Sequence, residues 1–113
     1  MWPARSPGYP EPMDPVVKDN PDEKRYEITA DGQIAGFVQY RKRPGLIAFI
    51  HTEIGPAYEG QGLGSKLVKS ALEDARDQGL AVLPFCPFVN EYLRRHPGLA
   101  SLVPADHREA FGL

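Results

Sequence analysis

The segment "AYEGQGLGSKL", Ala57–Leu67, is the most informative part of this sequence, because three glycines fall within five positions just before a helical pattern begins. These glycines are Gly60, Gly62 and Gly64. Inside a helix, glycine is about 1 kcal/mol less favourable than alanine, and it loses more backbone entropy on folding than any other residue. Glycines at a helix start therefore indicate either a tight turn or a place where a ligand approaches the bare backbone closely.

The residues that follow the glycines predict a long amphipathic helix. Its apolar residues are spaced three and four positions apart, as in a helix with one buried face; they are Leu63, Leu67, Val68, Ala71, Leu72 and Ala75. Gly79 stands where a C-terminal cap belongs, and the apolar segment "LAVLPF", Leu80–Phe85, predicts a short strand. A strand, a turn, a helix and a second strand form a right-handed β-α-β unit with parallel strands. A shorter helix is predicted over Val89–Arg95, before Pro97.

Three strands are predicted before the glycine turn, over Lys24–Ala30, Gln33–Lys42 and Leu46–Ile54. The Asp31–Gly32 pair between the first two is a strong hairpin signal, since both residues tolerate a positive φ. The run Leu46–Ile50 lacks alternation, which predicts that both faces of this strand are covered. The predicted fold class is therefore α/β (α+β), a mixed sheet with an antiparallel N-terminal meander, the glycine turn, a long central helix, a parallel strand and a short C-terminal helix.

Composition indicates one small domain preceded by a tail. The chain has 113 residues, of which 42% are hydrophobic and 25% are charged, and this fits one globular domain. The first 15 residues hold five of the twelve prolines and almost no aliphatic residues, so this part of the chain cannot offset its ordering entropy. We predict a disordered, proline-rich tail over residues 1–22 and a domain over residues 23–113.

Several classes of partner are disfavoured by charge and composition. The formal net charge of -2 argues against nucleic acid, since phosphate binding usually needs a basic surface. The single cysteine, Cys86, excludes an internal disulfide and a cysteine-rich metal site, and it fits a reducing cytoplasm. No apolar run approaches the roughly 20 residues that span a bilayer. The expectation is a cytoplasmic monomer or weak dimer with no metal, no nucleic-acid partner and no membrane segment.

A glycine-rich turn that leads into a helix is a candidate anion site. Free N–H groups and the positive end of the helix dipole meet there, and phosphate is the usual occupant. A P-loop does not fit, because it ends in Gly-Lys-Ser/Thr whereas serine precedes lysine in Gly64–Lys66. A dinucleotide-binding fingerprint does not fit either, because its glycines are spaced differently and the next strand ends at Pro84–Cys86 rather than at an acidic residue. From these residues alone, a phosphate site and an ordinary tight turn are equally open.

The segment "YEGQGLGSKLVKSALEDARDQGL", Tyr58–Leu80, resembles the acetyl-CoA-binding segment of the GNAT superfamily of N-acetyltransferases. In that family an Arg/Gln-x-x-Gly-x-Gly/Ala turn surrounds the CoA pyrophosphate with backbone amides. The turn corresponds to Glu59–Gly64, with Glu59 at the position where arginine or glutamine is usual. "HTEIGPAYEGQGLGSKLV" and "LPFCPFVNEYLRRHP" are similar to the compact single-domain branch of the superfamily, and this likeness covers most of Tyr26–Val103.

The resemblance implies a GNAT-like sheet with a splayed parallel strand and an enzyme that moves an acetyl group from acetyl-CoA to an amine. The acceptor could be a small amine, or an exposed lysine or N-terminus of a peptide. The helical segment that normally shapes the acceptor pocket is replaced here by the Asp31–Gly32 turn, so an open site is expected. Backbone groups of the turn would hold the pyrophosphate, and the third strand would pair with the pantetheine arm. The implied cofactor-binding residues are Thr52, Glu53, Ile54, Gln61, Gly62, Leu63, Gly64, Ser65 and Asn90.

Four side chains are candidates for the chemistry, namely His51, Glu53, Cys86 and Tyr92. The resemblance implies that the donor's carbonyl lies near the first three. His51 or Glu53 would take the proton from the amine as a general base, although both could be ordinary strand residues. Cys86 could accept the acetyl group covalently, lie beside the CoA thiol, or be a small buried hydrophobic residue, and we favour proximity to the thiol. Tyr92 could protonate the departing thiolate or belong to the core, and Asn90 could bond pantetheine or cap a helix.

Two other functions stay open at this point. A CoA-binding or protein-interaction module would keep the turn without turnover, which Glu59 and the missing acceptor-side helices would suit. A purely structural domain would bind no CoA. Lys66 and Lys69 could meet phosphates, and Arg94–His96 could contact the CoA 3′-phosphate, although such residues are more typical of a solvated surface.

Overall fold

One five-stranded sheet organises residues 15–113, which are the residues that the computed structural model describes. The strands are β1 (Val16–Asn20), β2 (Arg25–Ala30), β3 (Gln33–Arg43), β4 (Leu46–Ile54) and β5 (Ala81–Pro84). They lie side by side in chain order; β1 to β4 pair in antiparallel fashion, and β5 pairs with β4 in parallel. The predicted mixed sheet is confirmed.

The helices follow the predicted order. They are α1 (Leu63–Asp77), α2 (Pro87–Arg95), α3 (Pro97–Ala100) and α4 (Ala105–Arg108), with short 3-10 turns at Pro56–Tyr58 and Glu109–Phe111. The helix α2 begins two residues before the predicted start at Val89. Proline is well suited to the first helical position, because its missing N–H has no partner there. The long central helix and the short C-terminal helix are thus confirmed.

The strand β1 corrects the predicted limits of the tail. Val16–Asn20 form a strand inside the segment that was predicted to be a tail, and the strand pairs along its whole length with β2. Pro21 lies in the turn between these strands, where its fixed φ does no harm. Asp19 accepts a hydrogen bond of 2.6 Å from the hydroxyl of Tyr40, which ties β1 to the centre of the sheet. Residues 1–14, the rest of the predicted tail, lie outside the described residues.

The turns between β2 and β4 have the predicted chemistry. Asp31 and Gly32 have φ values of 53° and 80°, so both residues of this two-residue loop are left-handed, as a tight hairpin requires. Gly45, in the next turn, has φ 75°. The Asp31–Gly32 hairpin is therefore confirmed.

The core lies on the face of the sheet that α1 covers. Its sheet residues are buried and come from alternate positions, including Tyr26, Ile28, Val38, Tyr40, Ile47 and Phe49. They pack against the apolar stripe of α1, including Leu67, Val68 and Leu72. In β4, Leu46 and Ala48 are only half-buried, and Ile50 is 39% exposed. The prediction that both faces of Leu46–Ile50 are covered is therefore wrong.

Burial alternates over Leu46–Phe49, and the alternation breaks at Ile50 because of a bulge. Phe49 pairs with Tyr40 and His51 pairs with Gln39, so Ile50 is an extra residue in β4. A bulge of this kind reverses which side chains face which side of a sheet. After it, Thr52 lies opposite the buried Val38, on the face of α1. His51 is thereby turned to the opposite face.

Two tyrosines fasten the far end of the core. The Tyr26 hydroxyl donates a hydrogen bond to Asp74 near the end of α1, and Gln78 donates to the same carboxylate at 2.7 Å. Burial and this hydrogen bond raise the pKa of Tyr26 well above its usual range. Burial and the bond to Asp19 do the same for Tyr40. The bond from Tyr26 holds α1 on the sheet, and the bond from Tyr40 joins β1 to β3.

Candidate active site

The edge strand β5 parts from its neighbour β4 partway along β4. Their pairing runs from Leu46 with Ala81 to Phe49 with Pro84, and the Cys86 N–H then donates to the Phe49 carbonyl at 2.9 Å. The strand β4 continues to Ile54, and among residues 15–113 no strand pairs with it on that side beyond this point. The predicted splay is present, and such openings at the carboxyl ends of parallel strands are common ligand sites.

The glycine turn closes one end of this opening. Gly60 and Gly62 have φ values of 81° and 76°, and a Cβ at either would meet nothing within 4 Å, so both are glycines because of their backbone conformation. Gly62 is the N-cap residue of α1. No side chain caps the helix, and its first turn holds no acidic residue. The N–H groups of this turn are therefore left for another acceptor.

Gly64 differs from the other two glycines. It lies within α1, and a Cβ there would come within 2.7 Å of Cζ in the Phe88 ring. Real Cβ atoms do not approach other atoms so closely. A side chain at Gly64 would therefore displace the Phe88 ring, and the glycine lets the ring lie against the backbone of α1, a contact that the local sequence does not reveal.

A cavity of about 360 Å³ lies between β4, the glycine turn and α2, and we call it the larger cavity because it is the larger of the two cavities that Ser65 and Phe88 line. It is lined by Thr52, Ile54, Tyr58, Glu59, Gly60, Gly62, Leu63, Gly64, Ser65 and Phe88. Six of the predicted cofactor-binding residues are among these, namely Thr52, Ile54, Gly62, Leu63, Gly64 and Ser65. Glu53, Gln61 and Asn90 do not line it.

Cys86 lies where the two strands part and is buried, with 2% of its surface exposed. Its Sγ lies 3.1 Å from the hydroxyl oxygen of Thr52, and either atom can be the donor. Thr52 also lines the larger cavity, so the thiol sits just behind the cavity wall.

His51 and Glu53 form a second group on the opposite face. Nε2 of His51 lies 2.9 Å from Oε2 of Glu53, and the two side chains are 52% and 61% exposed. The His51 ring also lies 6.2 Å, between centroids, from the ring of Phe37. The expectation that His51, Glu53 and Cys86 meet around one point is wrong, because the bulge at Ile50 directs the first two side chains away from the third.

Tyr92 faces a different space. It lines a smaller cavity of about 180 Å³ together with Ser65, Phe88, Glu91, Arg95 and His96, and we call this the smaller cavity. Its ring stacks on that of His96 with a centroid separation of 3.9 Å. Burial, with Glu73 nearby, raises the pKa of Tyr92. Tyr92 therefore lies in the wall of a cavity between α1 and α2, and it does not line the larger cavity.

Asn90 does not cap the start of α2, and it does not line the larger cavity. Cys86 is the N-cap residue of α2, and Asn90 is bonded to it only through the backbone. The Asn90 side chain donates to the Phe111 carbonyl at 2.9 Å, which fixes the C-terminal segment against α2. Lys66 and Lys69 are exposed and do not line either cavity.

Two negative findings apply to residues 15–113. No group of three or more His, Cys, Asp or Glu side chains in this range is arranged to hold a metal ion. No helix in it combines the length and the apolar character that crossing a membrane would need.

Known proteins resemble this chain in both sequence and fold. The chain is 27% identical over 100 residues to the protein NATD1 of Bos taurus, and this match covers 83% of the chain and 86% of NATD1. A GCN5-like protein from Staphylococcus aureus, whose solution structure was determined by NMR, matches with a TM-score of 0.60 and 24% identity over 78% of this chain and 86% of that one. The latter shows a shared fold.

The profile of the family described as GCN5-related N-acetyl-transferase matches residues 25–102. This range includes β2 to β5, the glycine turn, α1 and α2. Because it spans more than half of the sequence, the chain belongs to the GCN5-related N-acetyltransferase family.

Proposed function

We propose that this protein transfers an acetyl group from acetyl-CoA to an amine. The observation that carries the proposal is the start of α1, which has neither a capping side chain nor an acidic residue and opens into the larger cavity beside the parted strands. An uncapped helix start of this kind suits a diphosphate, because its N–H groups and the helix dipole both favour negative charge. Family membership supports the same reaction class.

Two sets of backbone groups would hold the thioester. The amides from Gly62 to Ser65 would bind the diphosphate at the helix start. The free edge of β4 at Thr52–Ile54 would pair with the amides of the pantetheine arm, as a strand would. Glu59 also lines the cavity, and its charge would oppose the phosphates.

The proton of the acceptor amine would be taken by His51, with Glu53 orienting the imidazole at 2.9 Å. The amine nitrogen would then form a bond with the carbonyl carbon, the carbon–sulfur bond would break, and the leaving thiolate would take up the second proton of the nitrogen through solvent. His51 and Glu53 lie on the exposed face, so an acceptor could reach them without entering the larger cavity. An open approach of this kind suits a large or extended amine.

A direct attack is favoured over an acetylated Cys86. The hydrogen-bonding side chain beside the Cys86 thiol is the neutral Thr52, and His51 is on the other face. A thiol nucleophile normally needs an adjacent base or cation. Tyr92 is unsuited to the acid role, because it lines the smaller cavity and its raised pKa makes it a weaker acid.

The test combines calorimetric titration of CoA with an acetyl-transfer assay on a panel of amines, including peptides with free lysines. His51→Ala is expected to lower kcat about 100-fold or more while the Kd of CoA stays within about twofold. His107→Ala is the matched control, since His107 forms a similar exposed pair with Asp106 at 3.1 Å, far along the chain from the site. Full activity of His51→Ala and Glu53→Ala would contradict the assigned base, and loss of activity in Cys86→Ala would indicate the covalent route.

A second candidate is a CoA-binding module without turnover. It is favoured by the separation of His51 and Glu53 from Cys86 across the sheet. Tight CoA binding with no acetyl transfer to any amine of the panel would support this alternative and contradict the enzymatic proposal.

A further inference from the structure

We propose that the acceptor is an acidic polypeptide that lies across the face of the sheet opposite α1, and that the guanidinium of Arg25 binds a carboxylate close to the amine that is acetylated. This inference rests on the proposed acetyl transfer and names the class of its acceptor. The substrate would carry aspartate or glutamate near a lysine or near its own N-terminus.

The register of the sheet defines this surface. Residues that pair directly lie on the same face. Two neighbouring rows cross β2, β3 and β4 on the face away from α1, and they are Arg25–Gln39–His51 and Glu27–Phe37–Glu53. We call this surface the open face. The proposed base and its carboxylate partner therefore share the surface that holds Arg25.

The guanidinium of Arg25 is held from two sides. Its Nε donates to Oε2 of Glu27 at 2.8 Å, and its Cζ lies 4.5 Å from the centroid of the Phe37 ring. The Asn20 side chain also donates to Glu27, at 3.0 Å. Burial alone would raise the pKa of Glu27, but the hydrogen bonds from Arg25 and Asn20 lower it, so this carboxylate stays ionised. The guanidinium is thus oriented before any ligand arrives.

The two terminal nitrogens of Arg25 remain for a ligand. Among residues 15–113, only Nε of this guanidinium has a hydrogen-bond partner, and 25% of the side chain is exposed. The parallel N–H donors of a planar guanidinium match the two oxygens of a carboxylate. The Phe37 ring lies beside both Arg25 and His51, with its centroid 6.2 Å from that of the imidazole. A carboxylate on Arg25 and an amine at His51 would therefore be close together on one surface.

The open face carries an excess of positive charge, although the formal net charge of the whole chain is -2. By pairing and alternation, its cations are Lys18, Arg25, Arg41 and Arg43, and its anions are Glu27 and Glu53. Both anions are already in use, Glu27 with Arg25 and Glu53 with His51. Charge complementarity therefore favours an acidic partner.

The shape of the open face favours an extended chain over a small metabolite. The side chains of His51 and Glu53 are 52% and 61% exposed, so the amine site is not enclosed. Alternate side chains of β3 are about 7 Å apart, which is also the spacing of alternate side chains in an extended peptide. Arg41 and Arg43 continue the line of β3 beyond Gln39, where they could meet further acidic residues of the same peptide.

The experiment measures kcat/KM with acetyl-CoA for two pairs of peptides. In the first pair the only amine is one lysine of a peptide with a blocked N-terminus, and in the second pair it is a free N-terminus. Within each pair, aspartates beside the amine are replaced by asparagines. The wild-type protein is expected to prefer the aspartate peptide about fivefold or more in at least one pair, as a well-oriented ion pair allows.

Variants assign this preference to the open face. Arg25→Gln is expected to lower the ratio of the two kcat/KM values to about one, and Arg41→Gln to lower it about twofold. Arg25→Gln together with Glu27→Gln should give the same loss as Arg25→Gln, since this pair of changes leaves the net charge unaltered and no carboxylate without its cation. Arg76→Gln is the control, because it removes one positive charge from an exposed position on α1 and should not change the ratio. Melting temperatures verify that each variant is folded.

The inference is overturned if the wild-type protein acetylates the aspartate and asparagine peptides equally, or if it acetylates small amines but neither pair of peptides. It is also overturned if Arg25→Gln and Arg76→Gln change the ratio equally. These results leave the proposed acetyl transfer intact. Absence of transfer to every amine and peptide would instead contradict the proposed function.

Discussion

The two ends of α1 are built in opposite ways. At the C-terminal end, Gly79 adopts φ 71°, its N–H donates to the Arg76 carbonyl at 3.0 Å, and the Leu80 N–H donates to the Ala75 carbonyl at 2.9 Å. Arg76, a cation, lies in the last turn. At the N-terminal end Gly62 adopts a similar φ of 76°, yet no side chain caps the helix and no acidic residue lies in the first turn.

This difference separates a structural glycine from a functional one. Both residues use the left-handed conformation that glycine allows, but only the C-terminal end meets its hydrogen-bonding needs from within the chain. The N-terminal end keeps its donors and its dipole uncompensated beside the larger cavity. A helix that is completed at one end and left incomplete at the other indicates where a ligand is needed.

The largest expected effect comes from replacing each of these glycines by alanine. Gly62→Ala and Gly79→Ala should lower the melting temperature by similar amounts, because a left-handed residue with a side chain costs about 1–2 kcal/mol in each case. Only Gly62→Ala should also weaken CoA binding, by about tenfold or more, as measured by calorimetric titration. Equal CoA affinities in the two variants would remove the distinction between the helix ends.

A smaller effect is expected when a carboxylate is introduced into the first turn of α1. Ser65→Asp places a carboxylate in the first turn of α1, where it should stabilise the unliganded protein by about 0.3–1 kcal/mol. The same charge should weaken CoA binding about fivefold, since it occupies the donors and repels the phosphates. Thermal unfolding and titration measure the two changes, with Ser65→Asn as the uncharged control. If CoA binding is unchanged, the diphosphate does not lie at this end.

The smallest effect concerns Glu59, which lines the larger cavity. Glu59→Gln removes a negative charge and introduces a residue that is usual at this position of the family pattern. CoA should therefore bind about threefold more tightly at low salt, and the gain in affinity should be smaller at high salt. Glu23→Gln, in the exposed turn after β1, is the control for net charge. Weaker binding in Glu59→Gln would show that this carboxylate helps the site rather than opposing the ligand.

Local signals predicted most of the fold. The Asp31–Gly32 hairpin, the apolar stripe of α1 and the cap at Gly79 each depend on residues adjacent in the chain, and each is confirmed. The strand β1 was missed, because Val16–Asn20 is short, follows a proline-rich segment and is itself followed by Pro21. Its stability depends on pairing with β2, and the sequence of one strand does not show which strand it pairs with.

The candidate site was predicted only where its residues are neighbours in sequence. The glycine turn is a local motif and lines the cavity as expected. The prediction that His51 lies near Cys86 was wrong, because the extra residue Ile50 changes the face of the sheet on which the His51 side chain lies. The broken alternation around Phe49 was the available signal, and it was interpreted as burial on both faces. The contact of Gly64 with Phe88 joins two helices and had no local signal.

The bulge in β4 has a kinetic consequence. It puts His51 on the face of the sheet opposite to Phe49, and it leaves Thr52, the next residue of the strand, on the face of α1. Under the proposed reaction, the two substrates would arrive from opposite directions, and neither would block the route of the other. We therefore expect random-order kinetics, with either product free to depart first, in contrast to an enzyme whose deep acceptor pocket is sealed by the bound donor.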